Sequence, residues 1–184
     1  PGWTANGVEP WGLQPDPIGA DGNLFFRGFF NLLLGTYSYV SGDDKWEKPF
    51  QVTGYNDRLF QWTQHSITGF LEDQWSERPQ GPQCENTKIW PYCLSAAGLS
   101  LQLYDKLFDG KSHWVYDQWI EFAKKHFTTR NASGDIASFA FYYDPLEEFA
   151  YSPPPGLSGL SMLAPLFYLY PQAPEFGLAL YEAG

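Results

Sequence analysis

The stretch 24–40, Leu24-Phe25-Phe26-Arg27-Gly28-Phe29-Phe30-Asn31-Leu32-Leu33-Leu34-Gly35-Thr36-Tyr37-Ser38-Tyr39-Val40, sets how the rest of the chain is read. Leu24, Phe25, Gly28, Phe29, Leu32, Leu33 and Thr36 recur at i, i+3, i+4 spacing, and Leu34, Tyr37 and Val40 widen that stripe until the segment is apolar almost all round. Such a helix is expected to be buried on most sides. Residues 55–75 have the opposite character: Leu59, Trp62, Ile67 and Phe70 stand among Asn, Asp, Gln and Glu, as in an outer, amphipathic helix. Residues 93–108 repeat the first character with Leu94, Ala97, Leu101, Tyr104 and Leu107, and residues 114–127 repeat the second with Val115, Trp119, Phe122 and Phe127. A third apolar stretch covers 157–170, and a third outer helix is expected to begin near Glu175.

Two segments overlay: Tyr37 to Gly42 to Trp46, and Tyr104 to Gly110 to Trp114. Each has a helix ending in tyrosine, a Gly/Asp turn, and a tryptophan four residues after the glycine, which is C-cap chemistry followed by a new helix. Gly/Pro-rich loops at 15–22, 79–91 and 153–159 precede the apolar helices. Repeated inner and outer helices predict an all-α fold, an α/α toroid with inner helices lining a cavity and long loops gathered at one rim. Two and a half pairs do not close a ring. The expectation is therefore a single domain over residues 1–184, incomplete at one or both ends, closed by further sequence or by other copies in a homo-oligomer. Residues 136–143 are open between a short strand and an extended loop.

Composition narrows the partners. Of 184 residues, 43% are apolar and 19% aromatic, which excludes disorder, and a net charge of −10 without a basic run excludes nucleic acid as an expected ligand. The most apolar stretch is broken by Arg27, Gly28, Asn31 and Gly35, so no membrane span is expected. The chain opens without Met, as a processed or truncated product would. Two cysteines do not make a disulfide scaffold, and the sequon Asn131-Ala132-Ser133 alone does not establish secretion, so the compartment stays open.

The most chemical segment is Gln83-Cys84-Glu85-Asn86-Thr87-Lys88-Ile89-Trp90-Pro91-Tyr92-Cys93. Both cysteines lie in it, and Cys93 falls at the start of a helix, where unpaired N–H groups favour a thiolate. Three readings stand side by side: a reactive pair, a local disulfide, and two inert buried thiols. No zinc-ligand spacing links the cysteines to His65, His113 or His126. Tyr142-Tyr143-Asp144-Pro145 reads as a turn that brings phenols and a carboxylate together, while Asp43, Asp44, Glu147 and Glu148 read as solvated turn charges. Aromatic rings at the rim, Trp90, Tyr92, Tyr142 and Tyr143 among them, suit an apolar substrate that develops positive charge.

The cysteine loop, together with Asn23-Leu24-Phe25-Phe26-Arg27-Gly28-Phe29, Leu34-Gly35-Thr36-Tyr37 and Ser41-Gly42-Asp43-Asp44, resembles the linalool dehydratase/isomerase family from about Pro15 to Tyr151. The resemblance implies an α/α barrel whose apolar cavity binds a terpene alcohol and dehydrates or isomerises it without a cofactor or metal. It implies catalytic roles for Cys84 and Cys93, with Asp21 as an acid and His65 as the histidine. Phe29 stands where the family carries a tyrosine, so a hydroxyl is missing and the reaction is open to change. Tyr55, Asn86, Trp90, Tyr92 and Tyr143 are the expected pocket wall. The expected partner is a small apolar alkenol, undergoing dehydration, isomerisation or cyclisation. A carbohydrate-processing toroid with opposed carboxylates and stacked aromatics, and a non-catalytic terpenoid or lipid carrier, are the alternatives.

Overall fold

The computed structural model describes residues 14–85, 87–154 and 156–184. Helix α1 spans Leu24–Ser41 and stops at Gly42, whose φ of 65° lets its N–H close on the Ser38 carbonyl at 2.9 Å. Only one side of α1 is buried, through Leu24, Arg27, Gly28, Asn31, Leu34 and Gly35. Leu33 and Val40 remain exposed, because no described element covers that flank.

The sequence after Gly42 departs from the expected helix pair. Trp46 lies in a turn, edge-on to Tyr37 and to Phe50, and the chain then forms β1, Phe50–Thr53, and β2, Leu59–Trp62. These strands pair antiparallel with Phe50 opposite Trp62 and Val52 opposite Phe60. Their inward side chains alternate with outward ones, which is the period of a half-buried strand and not of a helix. The expected helix over 55–75 is thus real only from α2, Gln64–Ser76, where Thr63 supplies the start: its hydroxyl accepts from Ser66 N–H while the Ser66 hydroxyl accepts from Thr63 N–H.

Helix α3, Pro91–Phe108, is the central rod. Its small residues Ser95, Ala96, Ala97, Gly98 and Ser100 are buried and admit close neighbours. A Cβ on Gly28 of α1 would meet Ala97 Cβ at 2.9 Å, and one on Gly98 would meet the Tyr116 ring at 2.2 Å. Asn31 closes the same junction, donating to Thr68 of α2 and Ser100 of α3, both at 3.1 Å. At its other end α3 stops on Asp109, with φ 53°, and Asp105 turns back to accept from Ser112 and His113 N–H at 2.8 Å. That cap starts α4, Trp114–His126, as the sequence expects, with Val115, Tyr116, Trp119, Ile120 and Ala123 inward.

Residues 128–151 form two more hairpins, β3 (Thr128–Arg130) with β4 (Ile136–Phe139), and β5 (Tyr142–Asp144) with β6 (Phe149–Tyr151). The open choice at 136–143 resolves to strands. The apolar stretch 157–170 is split into α5, Ser158–Leu163, and α6, Leu166–Leu169, because Pro165 offers no N–H to continue the ladder; α7, Pro174–Ala183, follows.

An all-α toroid is therefore not what these residues build. Three small two-stranded antiparallel sheets sit among the helices, so the fold is mixed α and β. The two most apolar helices, α1 and α3, do not face one another across a cavity but touch through glycine and alanine. Among the described residues no helix is long and apolar enough to cross a membrane.

Candidate active site

Pro91 fixes where α3 begins. It needs no N–H at the first helical position, and Trp90 before it is extended (φ −104°, ψ 122°), so Cys93 falls in the first turn. The loop leading to it is held on three sides. Leu24 and Phe25 N–H, unpaired at the start of α1, bond to the carbonyls of Gln83 and Cys84 at 3.1 and 3.5 Å. Cys84 N–H bonds to the Lys88 carbonyl and Lys88 N–H to the Glu85 carbonyl, with Thr87 turned to φ 60° between them. Ile89 and Tyr143 exchange two backbone bonds of 2.8 Å, which tie the loop to β5.

This clamp separates the fates of the two thiols. Both are free. Cys84 is fully buried at the neck of the loop, where Trp90 N–H donates to its sulfur at 3.2 Å. Burial, and then the neighbouring Cys93 thiol, push Cys84 well above the ordinary thiol value, so it stays neutral. Cys93 is 5% exposed and lines a cleft of about 190 Å³ together with Phe25, Glu85, Trp90 and Tyr92.

Trp90 and Tyr92 also line a second, larger cavity of about 280 Å³, whose other walls include Phe141, Leu160, Ala164 and Pro165. Trp90 stands edge-on to Phe141 at 4.9 Å and leans on Tyr142 at 5.4 Å, which fixes it as a partition. Tyr92 packs between Phe29 and Tyr168, with centroids at 5.6 and 5.4 Å. Burial and the Tyr92 hydroxyl raise the Tyr168 phenol to about 12. Phe29 brings no hydroxyl of its own, but it touches both phenols.

The remaining expected site residues are dispersed. Asp21 is taken up by Arg78, whose Nη1 bonds both carboxylate oxygens at 2.9 and 3.0 Å, and it lines neither cavity. Tyr143 joins the loop only through its backbone; its ring is buried against Phe127 and Phe122. Tyr55 stands at the β1–β2 turn, its N–H on the Pro15 carbonyl at 3.0 Å. Asn86 lies outside the described residues. His65, at the start of α2, is at the far end of α3: its Nδ1 meets the Tyr104 hydroxyl at 2.8 Å and its Nε2 the Glu47 carboxylate at 3.5 Å. Eleven helical residues separate Tyr104 from Cys93, about 16 Å. Trp90, Tyr92 and Cys93 are brought together, with Cys84 beneath them.

Several residues at this end were not singled out by the sequence reading. Glu85 follows Cys84 directly, which was its only signal in the sequence, while Phe25 belongs to the distant apolar stretch of α1 and meets the loop only in the fold. Phe141, Leu160, Ala164, Pro165 and Tyr168 carry no spacing that ties them to the cysteines. Arg27 read as an interruption of an apolar face, yet it is fully buried, donating to the carbonyls of Ile18 and Ala20 and to Gln74 while lying 4.8 Å over Phe70. Burial lowers it to about 10, so it is charged at neutral pH and ties the loop before α1 to that helix.

A thiol, a carboxylate and paired phenols around apolar, ring-lined space can move protons on a substrate that is itself mostly hydrocarbon. The family model for linalool dehydratase/isomerase matches residues 4–151, which include α1, the cysteine loop and α3. The chain belongs to the linalool dehydratase/isomerase family, and its chemistry is of the lyase and isomerase type on terpenoids.

Proposed function

We propose that the chain is a cofactor-independent acid/base enzyme that dehydrates or isomerises an acyclic terpenoid alkenol at the cleft beside Cys93. The observation that carries this reading is the joint wall: Trp90 and Tyr92 divide a cleft bearing a thiol and a carboxylate from a larger cavity lined by hydrocarbon and aromatic surface. The thiol and carboxylate of the cleft suit the polar end of an alkenol, and its Phe25, Trp90 and Tyr92 walls suit the hydrocarbon beside it. Loss of water leaves a cation-like carbon, and the faces of Trp90 and Tyr92 are suited to stabilise it. Cys93 is the working thiol. Cys84, neutral and enclosed, supports it from below.

The carbohydrate reading has less to rest on. Asp135 and Glu182 do line one cavity with Arg130, but no aromatic ring lines it for a sugar to stack on. The carrier reading needs the same apolar space and no thiol, so turnover decides between them. Purified chain is expected to convert an isoprenoid alkenol to a diene or an isomeric alcohol, read by gas chromatography, and Cys93→Ala is expected to abolish conversion while binding persists. Full turnover in Cys93→Ala would sink the reading.

A further inference from the structure

We infer that Glu85 is a catalytic base of this cleft, accepting a proton from the substrate carbon while Cys93 serves the departing oxygen. The inference rests on the alkenol reading above and adds a residue to it. Glu85 and Cys93 line the same cleft, with Phe25, Trp90 and Tyr92 as its apolar walls. The carboxylate has no hydrogen-bond or ion-pair partner among the described residues. The one cation of the loop, Lys88, is drawn away from it: its ammonium donates to the Thr87 hydroxyl at 2.8 Å and to Asp144 at 3.2 Å, and lies 5.1 Å from the Tyr142 ring. Backbone bonds between Glu85 and Lys88, closed through the positive φ of Thr87, set the residue firmly at the mouth.

A base is what the thiols by themselves lack. Cys84 holds its proton, so a second group has to take one if Cys93 gives one. In the dehydration the Cys93 S–H proton passes to the hydroxyl oxygen as the C–O bond breaks and water leaves. Glu85 takes a proton from the neighbouring carbon, whose C–H electron pair becomes the double bond. Glu85 then returns its proton to the Cys93 sulfur, which restores both groups. The carboxylate has to be ionised at the start, since only then can it accept that proton.

The test compares Glu85→Gln, Glu85→Asp and Cys93→Ala in the intact chain, on isoprenoid alkenols of one to three units. Glu85→Gln is expected to lower kcat about 100-fold with KM within about threefold. Glu85→Asp is expected to recover part of kcat, and since Glu85 is exposed neither Glu85 variant should alter the melting temperature. Full turnover in Glu85→Gln beside an inactive Cys93→Ala overturns the role of Glu85 and leaves the thiol reading standing. No turnover by the unmodified chain, or full turnover in Cys93→Ala, overturns both.

Discussion

The two ends of α3 carry similar chemistry in different surroundings. At its N-terminal end a thiol, a carboxylate and the Tyr92 phenol border an apolar cleft, with Tyr168 packed behind Tyr92. At its C-terminal end Glu47, His65 and Tyr104 form a carboxylate, imidazole and phenol chain, packed on Phe108 at 4.9 Å. The second set is a more familiar acid/base grouping, yet it lines none of the described cavities, with His65 exposed and Glu47 and Tyr104 half-buried. Residue type therefore does not distinguish the two ends. What does is whether apolar walls enclose space beside the groups, and only at the cysteine end do Trp90, Tyr92 and Phe25 provide them.

The largest effect is expected from breaking the rod that holds the two ends apart. Gly98→Val would drive a side chain into the buried Tyr116 ring, which is wedged against Trp75 and Trp119, and neither ring has room to withdraw. A loss of about 3 kcal/mol in urea unfolding is expected, against the roughly 0.5 kcal/mol that replacing a helical glycine returns. Next comes the contrast of the ends themselves. Cys93→Ala is expected to lose at least about 100-fold in kcat/KM, and His65→Ala less than about threefold. Equal losses would join the two ends into one site and break the comparison.

Smaller still, Tyr104→Phe removes the hydroxyl that meets His65 and is expected to cost about 1 kcal/mol of stability without changing kcat. The smallest effect is a slope with pH. The folded state holds the Cys84 proton more tightly than the unfolded chain does. The resulting stability is fully present below the unfolded thiol value of about 8.5 and declines as pH rises above it, by at most about 1.4 kcal/mol per pH unit. Melting temperatures from pH 7 to 10 are expected to fall more steeply for the unmodified chain than for Cys84→Ala; parallel curves would place the Cys84 thiol in water.

Much of the cysteine end was legible along the chain. Pro91 before Cys93 marks a helix start, and a helix start next to Trp90 and Tyr92 marks a chemical loop, since each inference concerns neighbours in sequence. The hairpins were less legible. Leu59 to Trp62 and Gln64 to Ser76 together satisfy a helical count of apolar residues, and only the pairing of β2 with Phe50–Thr53 decides that the first four are extended. The overlay of the two Tyr-Gly-Trp segments failed for the same reason: Trp114 opens a helix capped by Asp105, whereas Trp46 packs on Phe50 and leads into a strand.

By itself the sequence determined the family, the stop of the first helix at Gly42, the start of the next apolar helix close to Cys93, and the loop that carries both cysteines, because those depend on backbone preference and short spacing. Tertiary structure decided which groups meet. It enclosed Cys84 and set the largely buried Cys93 against a cleft, assigned Asp21 to Arg78, sent His65 to the far end of α3, and put Leu160, Ala164 and Pro165 opposite Trp90. Those outcomes depend on how closely helices approach, through Gly28, Ala97 and Gly98, and on which polar atoms burial leaves in need of a partner. No local pattern in the chain encodes them.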